Sequence, residues 1–334
     1  MPRDHFPAID GLRAIAAYTV VIGHFSNLTN IFGGILGFGS GQLGVMLFFV
    51  ISGFLMGSLY LRSELTASAA FTFLQRRVAR VIPLYLAIVA ISYLWPLNEW
   101  APFYAITDRN LPYHLLFWRG ISVLWTIPVE VQFYLLFPFI WLGYRLVGTA
   151  VLFFLAIIAI FALASSWTYP FIINYISYFF IGVAASLVPL SHANGKAIDI
   201  AFVACLLAYV LSFPRINGVE PSELWISPIY FLLIPATLLA SSTSKLGNRI
   251  LGSPGLKILG DSSYSAYLLH LPVYHTLVFS DVLRSNVYLF LAVFLVATIA
   301  VSWLSFRFIE TPARRWVNGL RLGGGRQRVE NSTQ

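Results

Sequence analysis

Apolar positions in this chain come in long, nearly unbroken runs, and polar positions gather in the short gaps between them. A helix needs about 20 apolar residues to cross a bilayer. On that measure the runs predict about ten spanning helices, near residues 9–28, 41–62, 79–97, 124–144, 148–166, 171–189, 197–213, 223–242, 262–281 and 286–308. The gaps carry turn formers, as in the glycine-rich stretch from Asn27 to Gly41 and in Ser191 to Gly195. Three gaps have a character of their own. Phe71 to Pro83 reads as an amphipathic helix lying on the membrane surface, with Pro83 opening the next span. Residues 96–120 form an aromatic-rich external segment, in which His114 reads as a surface histidine. Ser241 to Gly260 reads as a basic, glycine-containing linker.

A few polar residues interrupt the apolar runs, and these carry the candidate chemistry. The first span holds Asp10, Arg13 and His24. On a helix, Arg13 and His24 fall within about 20° of each other and about 16 Å apart along the axis, with Asp10 about 40° from His24. Ionisable groups at such depth are costly and mark substrate paths or reaction centres. Glu130 lies inside the fourth span, with Gln132 and Tyr134 nearby. In the ninth span Tyr267 and His270 are three apart and share a face, and Asp261 or Ser262 is placed to cap its start. Ser52 and Gly53 in the second span are small enough to let a neighbouring backbone come close.

Composition confirms the class and sets an orientation. The chain has 334 residues, of which 58% are hydrophobic and 10% charged, with a mean hydropathy of +0.79; soluble domains carry about 25% charged residues. The expected fold is all-α, polytopic and membrane-embedded, with a transmembrane unit over residues 1–312 and a basic, unstructured cytoplasmic tail over 313–334. With both termini in the cytoplasm, all but Arg109, Arg119, Arg215 and Arg284 of the 21 lysines and arginines lie on the inner side or at inner helix ends, as the positive-inside rule requires. The net charge of +8 is then a topology signal, not a nucleic-acid footprint. No cleavable signal peptide is expected, since the first apolar run has charges within it and no small-residue cleavage site after it. One cysteine, Cys205, excludes an intrachain disulfide and a multi-cysteine metal site.

Arg76, Arg77 and Arg80 cluster before Pro83 at spacings of three and four that let them face one way. Guanidinium groups pair with phosphate oxygens, although headgroup anchoring explains such a cluster equally well. A neutral histidine can act as general base on a hydroxyl, with a carboxylate orienting its ring. Residue pattern alone therefore leaves two readings level: group transfer from a phosphorylated cytoplasmic donor to an alcohol, and a proton-coupled transporter or flippase for a glycan or small solute.

Six stretches taken in order tip that balance. Asp10-Gly-Leu-Arg13 through Gly23-His24, and Phe48-Phe-Val-Ile-Ser52-Gly53-Phe54, resemble the first two motifs of the acyltransferase-3 family of integral-membrane acyltransferases. Arg76-Arg77-Val-Ala-Arg80 is similar to its double-arginine motif. Leu124-Trp-Thr-Ile-Pro-Val129-Glu130-Val-Gln132-Phe-Tyr134 resembles its Trp-Ser-x-x-Val-Glu-x-Gln-Phe-Tyr pattern, with Thr126 in place of serine and Pro128 as a possible kink. Gly260-Asp-Ser-Ser-Tyr264 to His270-x-Pro272, and Phe308-Ile-Glu310-x-Pro312, resemble its last two.

The resemblance implies transfer of an acyl group, most commonly acetyl from cytoplasmic acetyl-CoA, to a hydroxyl of a carbohydrate or related acceptor, in a bacterial inner membrane. No metal is implied. His24 would be the catalytic base and Arg13 its essential neighbour, with Asp10 and Glu130 completing the catalytic set. Arg76, Arg77 and Arg80, with Glu310, would serve the donor, and His270, Tyr267 and Tyr134 the acceptor. Family members with a fused soluble hydrolase-like domain are longer, so the final transfer is expected within the membrane unit or on another protein.

Overall fold

A computed structural model describes residues 6–95, 103–164, 172–189 and 195–320, the side chains of 162–164 excepted. The first part of the expected 96–120 external segment, most of the expected Ser191 to Gly195 turn and the tail beyond 320 lie outside the described residues. Regular structure among the described residues is entirely helical. In chain order the helices are α1 (Pro7–Thr29), α2 (Ser40–Tyr60), α3 (Ala67–Leu94), α4 (Leu111–Leu115), α5 (Thr126–Val147), α6 (Val151–Ala164), α7 (Ile176–Ala185) and α8 (Lys196–Leu211). There follow α9 (Pro214–Asn217), α10 (Pro228–Thr243), α11 (Lys245–Leu251), α12 (Pro254–Asp261), α13 (Ser263–Leu277), α14 (Asp281–Ser285), α15 (Val287–Ser305) and α16 (Thr311–Gly319).

Each predicted apolar run coincides with a helix: α1, α2, α3, α5, α6, α7, α8, α10, α13 and α15. By length and apolar composition, five described stretches can cross a membrane: 7–29, 40–60, 67–94, 122–161 and 287–319. The fourth of these holds both α5 and α6, on either side of the positive-φ Gly148. Helices α10 and α11, bent by 93°, make a sixth if taken as one span. Large apolar side chains such as Phe139, Leu146, Phe153, Leu232 and Val296 cover the outer faces. So much exposed apolar surface suits lipid rather than water. This is a multi-pass membrane protein.

Local sequence explains the helix ends. Pro7 occupies the first turn of α1, where a missing N–H costs nothing. Asn30 ends that helix in the left-handed conformation, and its N–H bonds back to Ser26. Thr66 caps α3 by accepting from the Ala69 N–H, and Asn286 caps α15 by accepting from Tyr288 and Leu289. Pro128 produces no kink, because it falls in the first turn of α5.

Four expectations are corrected. The surface helix before Pro83 is not separate: α3 runs unbroken through Pro83, so its arginines stand on a spanning helix. The 241–260 linker is helical, because Ser244 caps α11 by accepting from the Gly247 N–H and Pro254 starts α12. The chain does not become a free tail at Ala313. A π turn over Phe306–Glu310 leads into α16, and the Gln75 side chain on α3 donates to the carbonyls of Val317 and Leu320. Pro312, which cannot donate to a carbonyl one turn back, accounts for the widened turn before it. Finally, His114 is fully buried, with Nδ1 2.9 Å from the Tyr85 hydroxyl, because α4 packs back against α3.

Helix α1 is central, packed against α2, α10, α11, α12 and α13. Beside it α2 and α7 touch backbone to backbone. A Cβ on Gly53 would lie 2.1 Å from the Phe179 carbonyl oxygen, and one on Gly182 would lie 2.2 Å from that of Val50. Phe49 stacks on Phe179 at 4.4 Å beside this contact. Gly182→Val should therefore force α2 and α7 apart. Overpacking of this kind costs about 3 kcal/mol, so the variant should lose most of its folded yield or melt well below the parent in a detergent thermal-shift assay; an unchanged melting temperature would contradict the contact.

Candidate active site

Asp10, Arg13 and His24 on α1 all meet side chains of one neighbouring segment. Asp10 is 3.6 Å from Lys257 on α12. Arg13 Nη2 donates to Ser263 Oγ at 3.1 Å. His24 Nδ1 is 2.8 Å from His270 Nε2 on α13. The two imidazoles lie within 8° of coplanar, with centroids 5.1 Å apart. That separation matches two ring radii plus the N···N distance, so the rings meet edge to edge through a hydrogen bond rather than face to face.

Two cavities lie along α1. One, of about 60 Å³, is lined by Arg13, Ser52, Arg77, Arg80, Glu130 and Tyr264, among others. The other, of about 340 Å³, is lined by His24, Asn27, Gln42, Ser122 and Trp125, among others. Val45 and Tyr267 wall both. Arginine chamber and histidine chamber are thus adjacent, and the half-buried His24 looks into the larger one.

Within the arginine chamber Glu130 accepts from the Tyr134 hydroxyl and, at 3.4 Å, from Ser52 Oγ. Arg77 is buried, with its guanidinium 5.7 Å from the centre of the Phe73 ring. Its Nε–H has no hydrogen-bond partner among the described residues. Arg13 lies within electrostatic reach of two further cations, Arg80 and Arg314, against the two acids Asp10 and Glu310. Glu310 is buried; it accepts from Ser265 Oγ and pairs with Arg314 at 2.7 Å.

The sequence-derived set therefore divides. Arg13, Arg77, Arg80 and Glu130 meet at one chamber, and His24 faces the next. Arg76 points outward and lines neither, since a residue adjacent to Arg77 is turned about 100° away from it. Tyr134 sits behind Glu130 as its hydrogen-bond donor. Tyr267 donates to the Val123 carbonyl at 2.9 Å and separates the chambers. Asp10 faces Lys257 rather than His24.

A family model described as an acyltransferase domain matches residues 6–307. The chain belongs to the acyltransferase-3 family. The resemblance carried by its six motifs is borne out, and motif residues, among them Arg13, Arg77, Arg80, Glu130, His24 and Tyr267, contribute to the lining of the two chambers. Among its curated relatives, O-acetyltransferase OatA of Staphylococcus aureus is 27% identical over 94% of this chain and 58% of the relative. Peptidoglycan O-acetyltransferase OatA of Listeria monocytogenes is 26% identical over 94% of this chain and 56% of the relative. The chain thus spans less than three fifths of the length of these relatives. No solved structure matches it significantly.

Sequence pattern does not single out every participant. Ser263 carries no signal that separates it from Ser262 beside it. Arg314 falls in the expected tail, although its spacing of four from Glu310 is a helical pairing signal. Gln42 and Asn27 enter the histidine chamber from an uncharged stretch with no pattern to flag it. The pair of buried Glu310 with half-buried Arg314 has a direct consequence. Removing Arg314 leaves the buried Glu310 carboxylate without its cation, and an uncompensated buried charge is costly, so Arg314→Ala should destabilise the fold. The double variant Arg314→Leu with Glu310→Leu should recover much of that loss in the same thermal-shift assay; equal destabilisation by both would contradict the pairing.

Proposed function

We propose that this acyltransferase-3 protein moves an acetyl group from cytoplasmic acetyl-CoA to a hydroxyl of a carbohydrate acceptor, with His24 as the general base. The observation that carries the proposal is the placement of His24: its ring opens on a roomy chamber that shares two walls with a chamber lined by three arginines. Acetyl is the group named for the Staphylococcus and Listeria relatives, and peptidoglycan is named for the Listeria relative. A carbohydrate acceptor for this chain is inferred from that likeness.

The arginine chamber fits part of the donor. Its cations outnumber its acids, and the buried Arg77 keeps an unpartnered donor, as an anion-binding site would. At about 60 Å³ it admits a thin chain and not a nucleotide. We therefore place the nucleotide and its phosphates at the chamber's mouth, on Arg77 and Arg80, with the thioester arm passing toward Tyr267. Both termini are then cytoplasmic and the spans number about ten, as the basic residues imply.

His24 Nδ1 is engaged by His270, which leaves Nε2 for substrate. Nε2 takes the proton of the acceptor hydroxyl while its oxygen forms a bond to the thioester carbonyl carbon. The tetrahedral intermediate collapses as the carbon–sulfur bond breaks, and the imidazolium returns the proton to the departing thiolate. Products are the acetyl ester and free CoA. Trp125 and the polar groups of Asn27 and Gln42 supply a stacking surface and hydrogen bonds for a sugar ring.

The test is CoA release from acetyl-CoA in proteoliposomes, paired with mass spectrometry of surface glycans from cells with and without the gene. His24→Ala, at normal abundance in the membrane, should reduce acetylation by about 10³-fold or more. Arg77→Ala should raise the KM for acetyl-CoA by about tenfold or more, the loss of a charge-assisted phosphate contact. Glycan movement across the vesicle without CoA release would overturn the enzyme reading in favour of a transporter.

A further inference from the structure

Two hydrogen bonds in series fix which nitrogen of His24 is bare. His270 is fully buried on α13, and its Nδ1 lies 3.1 Å from the carbonyl oxygen of Ala266, one turn earlier. A carbonyl oxygen only accepts, so His270 Nδ1 carries the hydrogen. In a neutral imidazole the other nitrogen is then an acceptor, so His270 Nε2 offers a lone pair to His24. With 2.8 Å between them, His24 Nδ1 must be the donor. The chain of bonds runs His24 Nδ1–H to His270 Nε2, and His270 Nδ1–H to the Ala266 carbonyl. His24 Nε2 is left without a hydrogen, on a side chain that lines the histidine chamber.

We infer that His270 is a positioning residue, which holds His24 in the tautomer whose bare Nε2 can accept the acceptor's proton, and which does not itself contact substrate. This rests on the reading of His24 as the base. It also replaces the sequence-based placement of His270 in the acceptor-binding set.

The physical reason for a second imidazole is the surroundings. When His24 takes up a proton, its Nδ1–H bond to His270 strengthens, because a charged donor makes the stronger hydrogen bond. A carboxylate in that position would do the same, but would bring a buried charge that needs its own partner at membrane depth. An imidazole whose far nitrogen is anchored on a backbone carbonyl provides the acceptor with no net charge. The anchor is intrinsic to α13, one turn apart on the same helix, so it does not depend on any loop. Packing supports the rings' alignment: Tyr267 lies 6.2 Å from the His270 ring, and its hydroxyl is held by the Val123 carbonyl.

The experiment reads the tautomer directly. Full-length protein labelled with ¹⁵N-histidine is placed in lipid bilayers, and the His24 signals are assigned by their loss in His24→Gln. In the parent, His24 should show a protonated Nδ1 and an unprotonated Nε2. His270→Leu, which removes the acceptor at similar volume, should let the Nε2–H form appear. It should lower kcat for CoA release by about 10²-fold or more and leave the KM for acetyl-CoA within about twofold. His270→Gln keeps an acceptor oxygen near the lost Nε2 and should restore the parent tautomer and at least tenfold of the lost kcat, roughly the value of one orienting hydrogen bond. A merely structural histidine would move folded yield alone. An Nε2–H tautomer in the parent, or unchanged kcat in folded His270→Leu, overturns the inference. If His270→Leu does not fold, His270→Gln decides: loss of the parent tautomer there overturns it, and retention supports it. Were the parent inactive on acetyl-CoA while its tautomers behaved as expected, the acyl-transfer reading would fall and the positioning of His24 would stand.

Discussion

Each charged or imidazole side chain on α1 is answered by a neighbour, because a bare charge or a bare imidazole in a membrane helix is costly. The answers come from one stretch of chain. Lys257, Ser263 and His270 meet Asp10, Arg13 and His24 in the same order, so α12 and α13 run alongside α1 in a fixed register. The approach is close because glycine permits it. A Cβ on Gly260 would lie 2.0 Å from the Asp10 carbonyl oxygen, and one on Gly11 would lie 2.4 Å from that of Leu251. Sliding α12 and α13 together along α1 would unpair all three groups, so they act as a single lock on register.

That lock shapes the cavities. With α13 held against α1, Tyr267 is carried to the boundary between the two chambers, where its hydroxyl is tied to the chain just before α5. Glu130 enters the smaller chamber from α5 and is steadied by Tyr134 one turn along. Arg77 and Arg80 enter from α3, three residues apart and therefore on one face. Five helices, α1, α2, α3, α5 and α13, thus contribute to one small polar space, and each polar residue in it is placed by a helix rather than by a loop. Such placement suits chemistry that depends on short, fixed distances.

The sequence shows helices readily and partners poorly, for a physical reason. A membrane span is specified by local composition, so each apolar run could be found without knowing its neighbours. His24 and His270 are separated by 246 positions, and only the folded packing brings them together. Arg76, Arg77 and Arg80 show the intermediate case. Their spacing allowed all three to share a side, yet the helix can bury only one arc, and Arg76 falls outside it. The 241–260 stretch misled for the opposite reason. Its glycines mark close contact between helices, at Gly247 and Gly260, rather than flexibility. The burial of His114 comes from α4 folding onto Tyr85, which no local pattern encodes.

The charge arrangement around Arg13 bears on which of the two level readings the structure favours. A transporter that relays protons needs a continuous series of titratable groups. Here the ionisable groups are clustered instead. Guanidiniums of Arg13, Arg77 and Arg80 face one carboxylate, Glu130, which already accepts two hydrogen bonds from hydroxyls. Arg314 adds a fourth cation, partly answered by Glu310, and its Nε–H, like that of Arg77, has no partner among the described residues. Like charges gathered in a low-dielectric setting repel at several kcal/mol each unless an anion joins them. The fold bears that repulsion at the end of α1 opposite His24. A phosphorylated donor would relieve it by binding, and binding there would direct its reactive end along α1 toward the only imidazole pair among the described residues.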